Sequence, residues 1–209
     1  MPLQCLTDHD FVGTDPHRDI ADAQRDFAAG RPVIMCDTVE GERLADVCIP
    51  AEYLDVALAA FLVEHTCGII TATVDVATSD RLDLPLLRAD LHRDTGRFCV
   101  AVDACSVSTG ISARDRARTI ALIADPAAAA SDFTRPGHVV PVMTGGLFAL
   151  SRWSRYDAAA ALSRSVGLSG VVAAATLVDG IAAATDGHIG AFAGRHRIPV
   201  VTASSLRVL

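Results

Sequence analysis

Apolar residues in this chain fall into short continuous runs and into stretches of helical spacing, and the two kinds alternate almost to the C-terminus. Asp19 to Ala29 carries Ile20, Ala23, Phe27 and Ala28 on one helical face, with Gly30 as its stop. Val33-Ile34-Met35-Cys36 reads as a buried strand. Asp37 to Asp46 reads as a polar loop around Gly41, and Val47-Cys48-Ile49-Pro50 as the second arm of a hairpin. Pro50 to about Glu64 predicts a helix with Leu54, Leu58, Phe61 and Leu62 on its apolar face. Then follow a strand at Ile69 to Thr73, a short helix or turn at Val76 to Leu82, a polar loop at Asp90 to Arg97 and a strand at Phe98 to Val102. A hydroxyl-rich turn, Ser106 to Ser112, precedes a helix from about Ala113 to Ala124. Phe133 to Pro141 reads as a turn entering a core strand. The remainder predicts a short strand (Leu147 to Leu150), a helix (Tyr156 to Val166), a strand (Val171 to Leu177), a tight turn at Asp179-Gly180, a helix (His188 to His196) and a last strand at Pro199 to Thr202. Mixed strands and helices with both hairpins and crossovers predict a single α+β domain over residues 19–209. Residues 1–18, polar and rich in Asp and His, read as a flexible N-terminal arm.

Composition narrows the chemistry. The chain has 209 residues, 51% of them hydrophobic and 21% charged, a balance that suits a soluble domain with a sizeable core. All 18 basic residues are arginine, so lysine Schiff-base chemistry and a P-loop lysine are excluded. A net charge of −7 argues against nucleic acid as a partner, while the arginines stay available for phosphate or carboxylate groups of a small ligand. No apolar run reaches membrane-spanning length, and Met1 to Phe11 has no basic region followed by an apolar one, so the expectation is a cytoplasmic protein that makes no membrane contact. The six cysteines include no C-x-x-C pair.

Four polar clusters could carry chemistry. Asp37, Glu40, Glu42 and Asp46 concentrate carboxylates that could hold Mg²⁺ or move protons, or form a solvated acidic loop. Ser106 to Arg116 places hydroxyls and backbone N–H groups before a helix, as an anion site or as a serine N-cap with Ser112 capping and Asp115 at N3. In Arg135-Pro136-Gly137-His138-Val139-Val140-Pro141, a proline and a glycine set the backbone around a histidine suited to proton transfer near neutrality. Arg152, Arg155 and Tyr156 lie before or at a helix start, where a phosphate could bind.

The order of these clusters resembles the 3,4-dihydroxy-2-butanone 4-phosphate synthase family of riboflavin biosynthesis, from about Asp22 to Leu206. Ser108-Thr109-Gly110-Ile111-Ser112-Ala113-Arg114-Asp115-Arg116 is similar to the family's T-T-G-[IV]-S-A-x-D-R, and Arg135 to Pro141 to its R-P-G-H-V-F-P. Ala29 to Val33, Pro50-Ala51-Glu52, His65 to Gly68 and Asp83-Leu84-Pro85 support the match. The resemblance implies a compact α+β fold, a homodimer with interfacial active sites, and no GTP cyclohydrolase half such as bifunctional relatives carry. It also implies a Mg²⁺-dependent reaction in which ribulose 5-phosphate is enolised, loses water, rearranges and releases formate.

The same resemblance exposes departures. The family's acidic loop is D-D-E-D-R-E-N-E-G-D; here it runs Asp37-Thr38-Val39-Glu40-Gly41-Glu42-Arg43-Leu44-Ala45-Asp46. The metal glutamate matches Glu42 and a substrate aspartate matches Asp46, but the substrate arginine is Gly41 and a catalytic glutamate is Leu44. In R-x-G-H-T-E the phosphate arginine matches Arg152, and the metal histidine is Arg155. The glutamate of a late C-E pair is Ala174. The expectation is a site without a metal, in which Glu42 pairs with Arg155, and a drier pocket walled by Leu44, Trp153, Tyr156 and Ala174. On this reading His138, Glu42, Asp46 and Cys67 are catalytic, and Asp37, Thr109, Arg135, Arg152, Arg155 and Tyr156 bind substrate. The expected function is a repurposed, metal-independent lyase or isomerase acting on a different, less polar small molecule in a specialised pathway. The alternatives are a working synthase that uses Mg²⁺ and a phosphorylated substrate, and a silent ligand-binding or regulatory homologue.

Overall fold

The computed structural model describes residues 16–87, 97–145 and 153–209. In chain order the elements are α1 (Pro16–Ala28), β1 (Val33–Val39), β2 (Glu42–Pro50), α2 (Val56–His65), β3 (Ile70–Val74), α3 (Val76–Arg81), β4 (Arg97–Phe98), β5 (Val102–Ala104), α4 (Ala113–Ala124), β6 (Phe133–Met143), α5 (Arg155–Ser165), β7 (Val172–Thr176), β8 (Val178–Asp179), β9 (Ala182–Ala183), α6 (Asp186–His196) and β10 (Val200–Thr202). Strands β10-β1-β2-β7-β3-β6-β4 lie side by side in that order, with β5 also paired to β6, and β8–β9 form a separate hairpin. Parallel pairs (β1 with β10, β3 with β6) sit among antiparallel ones, so the expected α+β domain stands.

The strand period of two sorts the core into two layers. Ile34, Cys36, Val47, Ile49, Ile70 and Ala72 turn to one face and pack under α2, α4 and α6 through Ala59, Leu62, Ile120, Ile123, Ile189 and Phe192. Val33, Met35, Cys48, Val172 and Ala174 turn to the other face, under α1 and α5, against Ile20, Phe27, Tyr156 and Leu162. Phe27, Ile34, Leu62, Ile120 and Leu162 are each fully buried, and each contributes about 1.5–3 kcal/mol by leaving water.

Several expected boundaries move. The acidic stretch is a hairpin, not a loop: β1 and β2 pair continuously from Val33↔Cys48 to Val39↔Glu42, closed by Glu40 (φ 51°) and Gly41 (φ 84°). Two successive positive-φ residues make the tight turn whose twist matches the strands. The helix foreseen from Pro50 is a short 3₁₀ turn followed by α2, which starts where the Asp55 side chain accepts the Leu58 N–H. The strand expected at 98–102 is split into β4 and β5, which pair with different parts of β6. Helix α1 begins at Pro16, inside the stretch read as an arm; residues 1–15 lie outside the described residues, as do most of the Asp90–Arg97 loop and the Leu147–Leu150 strand.

Candidate active site

Two polar constellations stand on the sheet. The first is built on β5 and β6. His138 Nδ1 lies 2.7 Å from Asp103 Oδ2, and the His138 backbone N–H donates to Asp103 Oδ1 at 2.9 Å. A carboxylate only accepts, so in the neutral imidazole the proton sits on Nδ1 and Nε2 keeps its lone pair. The His138 side chain is 43% exposed and that of Asp103 only 9%, so the aspartate orients a ring that still meets solvent. The closeness depends on two glycines. A Cβ at Gly137 would lie 2.0 Å from the Val102 carbonyl carbon, and one at Gly110 would lie 2.0 Å from Asp103 Oδ2. The R-P-G-H sequence is therefore strand throughout, and its glycine lets β5 approach closely enough for Asp103 to reach the imidazole.

The hydroxyl-rich turn supports this corner. Ser112 Oγ accepts the Asp115 N–H at 3.0 Å, the N-cap foreseen for α4. The Asp115 carboxylate turns back to accept from Ser108 Oγ (2.8 Å) and the Gly110 N–H (3.2 Å), and hydrogen bonding from Ser108 first, then Ser112, holds it below the usual carboxylate range. Thr109 stands exposed on the turn. Arg135 is engaged structurally, donating to the carbonyls of Leu82 (2.5 Å), Phe133 (3.2 Å) and Ala130 (3.3 Å).

The second constellation lies between β2 and the start of α5. Asp46, 1% exposed, accepts from Arg155 Nε through Oδ2 at 2.7 Å and from Thr176 Oγ1 through Oδ1 at 2.7 Å. The Arg155 side chain is 6% exposed; its second nitrogen donates to the Tyr156 hydroxyl at 3.0 Å, and the guanidinium carbon sits 4.5 Å from that ring's centroid. The Arg155 backbone N–H donates to Asp37 Oδ2 at 3.3 Å. Burial works against the guanidinium charge, but Asp46, Tyr156 and Asp37 more than offset it and raise the arginine above its ordinary value. Burial, then Asp46, pushes the Tyr156 phenol well up, so it stays protonated. Helix α5 is fixed by a reciprocal cap: Ser154 Oγ accepts the Asp157 N–H, and Asp157 accepts the Ser154 N–H at 3.1 Å.

These positions correct one expected pairing. Arg155 binds Asp46, not Glu42. Glu42 is exposed at the hairpin end, four residues before Asp46 on the same face of β2 and so about 13 Å away along the strand. Leu44 stands between them. The drier-pocket expectation divides: Tyr156 and Ala174 are packed into the core, while Leu44 and Trp153 are half-buried, with Trp153 Nε1 donating to the Ala203 carbonyl at 2.7 Å. Cys67 is exposed beside the end of β7, its N–H donating to the Thr176 carbonyl. Arg152 lies outside the described residues. The residues that sequence reasoning missed are Asp103 and Thr176. Asp103 had a signal, a lone carboxylate between Val102 and Ala104 in an apolar run; Thr176 had none.

Within one chain the two constellations do not meet. Asp46 is on β2 and His138 on β6, three strand spacings apart, about 14 Å. A divalent ion does not suit the donors between β2 and α5: among the described residues no three His, Cys, Asp or Glu side chains are grouped to hold a metal, and a guanidinium already engages Asp46. No helix among the described residues is long and apolar enough to cross a membrane.

Comparison with known proteins gives one consistent picture. The family model described as 3,4-dihydroxy-2-butanone 4-phosphate synthase matches residues 21–208. The riboflavin biosynthesis protein RibBA of Mycobacterium ulcerans (strain Agy99) is 38% identical over 190 residues, covering 88% of this chain and 44% of that protein; RibBA of Mycobacterium tuberculosis (strain ATCC 25177 / H37Ra) is 37% identical with the same coverage. The chain thus spans less than half the length of these curated relatives. Among solved structures, a 3,4-dihydroxy-2-butanone 4-phosphate synthase in complex with two magnesium ions superposes with a TM-score of 0.79 at 30% identity, covering 90% of this chain and 94% of that one. The Candida albicans synthase gives 0.80 at 26% identity with the same coverage.

Proposed function

Because the chain belongs to the 3,4-dihydroxy-2-butanone 4-phosphate synthase family, we propose that it is a lyase that converts ribulose 5-phosphate to 3,4-dihydroxy-2-butanone 4-phosphate and formate, the reaction that serves riboflavin biosynthesis. The observation that carries this reading is the Asp103–His138 pair, a solvent-facing imidazole held in the tautomer of a general base. Its Nε2 takes the proton from the carbon beside the substrate carbonyl and returns a proton later in the sequence. Asp103 keeps the ring aligned and stabilises the imidazolium formed in between. The 14 Å between His138 and Asp46 supports a homodimer in which one subunit's base faces the other's carboxylates, about that span being too wide for one small substrate. Thr109, exposed on its turn, and Arg152, by its match to the family's phosphate arginine, are the candidates for phosphate contact, and Cys67 is a candidate on the carboxylate side.

A second reading rests on a separate observation, the Arg155–Asp46 pair. It keeps the same base but applies it, without a metal, to a different and less polar substrate. Incubating the protein with ribulose 5-phosphate and following formate and the four-carbon phosphate by NMR, with Mg²⁺ and then with EDTA, separates the two. Formate in step with the four-carbon product supports the synthase. Its absence beside an active control enzyme overturns it, and base-catalysed deuterium exchange into a non-phosphorylated ketone would then favour the second reading.

A further inference from the structure

Charges buried between a sheet and a helix must be balanced from within or by a bound ion, because water cannot reach them. Between β2 and α5 the chain supplies the balance itself. We infer that the Arg155 guanidinium is the resident cation of this pocket, and that the chain carries no divalent-ion site between β2 and α5. The geometry assigns each group. Asp46 spends one oxygen on Arg155 Nε and the other on Thr176, both at 2.7 Å. Asp37 turns an oxygen to the Arg155 backbone N–H. The guanidinium is closed off by the Tyr156 hydroxyl and ring, a planar cation against an aromatic face. A magnesium ion needs near-octahedral oxygen ligands, and here the best-placed carboxylate is already engaged by a positive charge that the ion would have to displace or endure. Glu42, on the same face of β2 as Asp46, is too far along the strand to join it around one ion, with Leu44 between them, and Glu40 lies farther still, in the turn. Arg155 is therefore a positioning residue: it holds the Asp46 carboxylate fixed at the pocket wall, a task a bound metal would otherwise perform.

This inference goes beyond the substrate question and stands whichever ligand the site takes. The test uses the wild-type protein and manganese(II) as a paramagnetic stand-in for magnesium. In a titration followed by electron paramagnetic resonance, the spectrum is expected to remain that of the free ion through the low millimolar range. In a spectrum of protein labelled with ¹⁵N-arginine, the Arg155 Nε–H resonance is expected to persist near neutral pH without paramagnetic broadening. Uptake of one Mn²⁺ per chain that weakens in Glu42→Gln, or selective broadening of the Arg155 signal at substoichiometric Mn²⁺, overturns it. Glu42 is exposed, so that variant keeps the fold. A failed turnover assay would leave this result untouched, and a positive one would not rescue it.

Discussion

The β5–β6 corner and the β2–α5 corner solve opposite problems with the same device, an aspartate set against a nitrogen side chain. At β5–β6 the aspartate is buried and its partner reaches solvent, so the pair orients a ring that is open to something outside. At β2–α5 both members are buried and the partner is a guanidinium that does not titrate, so the pair exchanges nothing and fixes a wall. The contrast teaches that a pair of an aspartate and a nitrogen side chain is read from the exposure of the nitrogen partner. Exposure makes it a tool, and enclosure makes it a strut.

The sharpest way to break the comparison is to remove the strut. Arg155→Met leaves the Asp46 carboxyl enclosed without its partner, and is expected to cost about 3–5 kcal/mol of stability by denaturant titration. Adding Asp46→Leu in that background should recover much of the loss, whereas His138→Ala should leave the denaturation midpoint nearly unmoved. A midpoint that moves equally for Arg155→Met and His138→Ala would erase the distinction. Next, Asp103→Asn keeps the shape but loses the acceptor that fixes the tautomer. Turnover of ribulose 5-phosphate should fall by about 10²–10⁴-fold, with a smaller change in KM. Third, Gly137→Ala drives a methyl into the Val102 backbone, so β5 must move away from β6. About 1–3 kcal/mol of stability is expected to go, and with it the imidazole alignment. Gly41→Ala, where a Cβ meets nothing, should cost less stability and leave the His138 ring untouched. The smallest effect concerns a third pair that belongs to neither class. His196 on α6 stacks near His65 of α2, ring centroids 5.2 Å apart, between Phe61 and Phe192. Partial burial, then His65 and Arg195, lowers its proton affinity. Its stabilising share is present above about pH 6.5 and is lost as pH falls through the lower folded-state value, because the unfolded chain takes the proton first. Melting temperatures should drop slightly more between pH 7 and pH 5 for wild type than for His196→Gln.

Local signals carried the fold well. Ser112 read as a cap, caps α4; the valine run after His138 is a strand; and the apolar face at Ile20, Ala23 and Phe27 is the buried face of α1. The acidic stretch read as a loop because its polar residues hide the strand period, and only the Glu40-Gly41 turn reveals the hairpin. The candidate site was legible for His138 and not for its partner, since Asp103 lies 35 residues away and meets it only through strand pairing. The sequence marks Arg155 as an ion-pairing residue but points it toward Glu42, whereas it binds Asp46. Spacing along the sequence says that Glu42 and Asp46 share a strand face; only the seat of α5 decides which of them the arginine reaches.

The buried pair also sets the terms on which this protein can change over generations. Exchanging either Asp46 or Arg155 alone strands the other, and a loss of about 3–5 kcal/mol is a large part of what holds a typical domain together. A lineage at this sequence therefore cannot drift through single steps at these two positions. It moves by paired substitution, or only after stability has accumulated elsewhere, so this buried corner is far harder to change than the exposed histidine across the sheet.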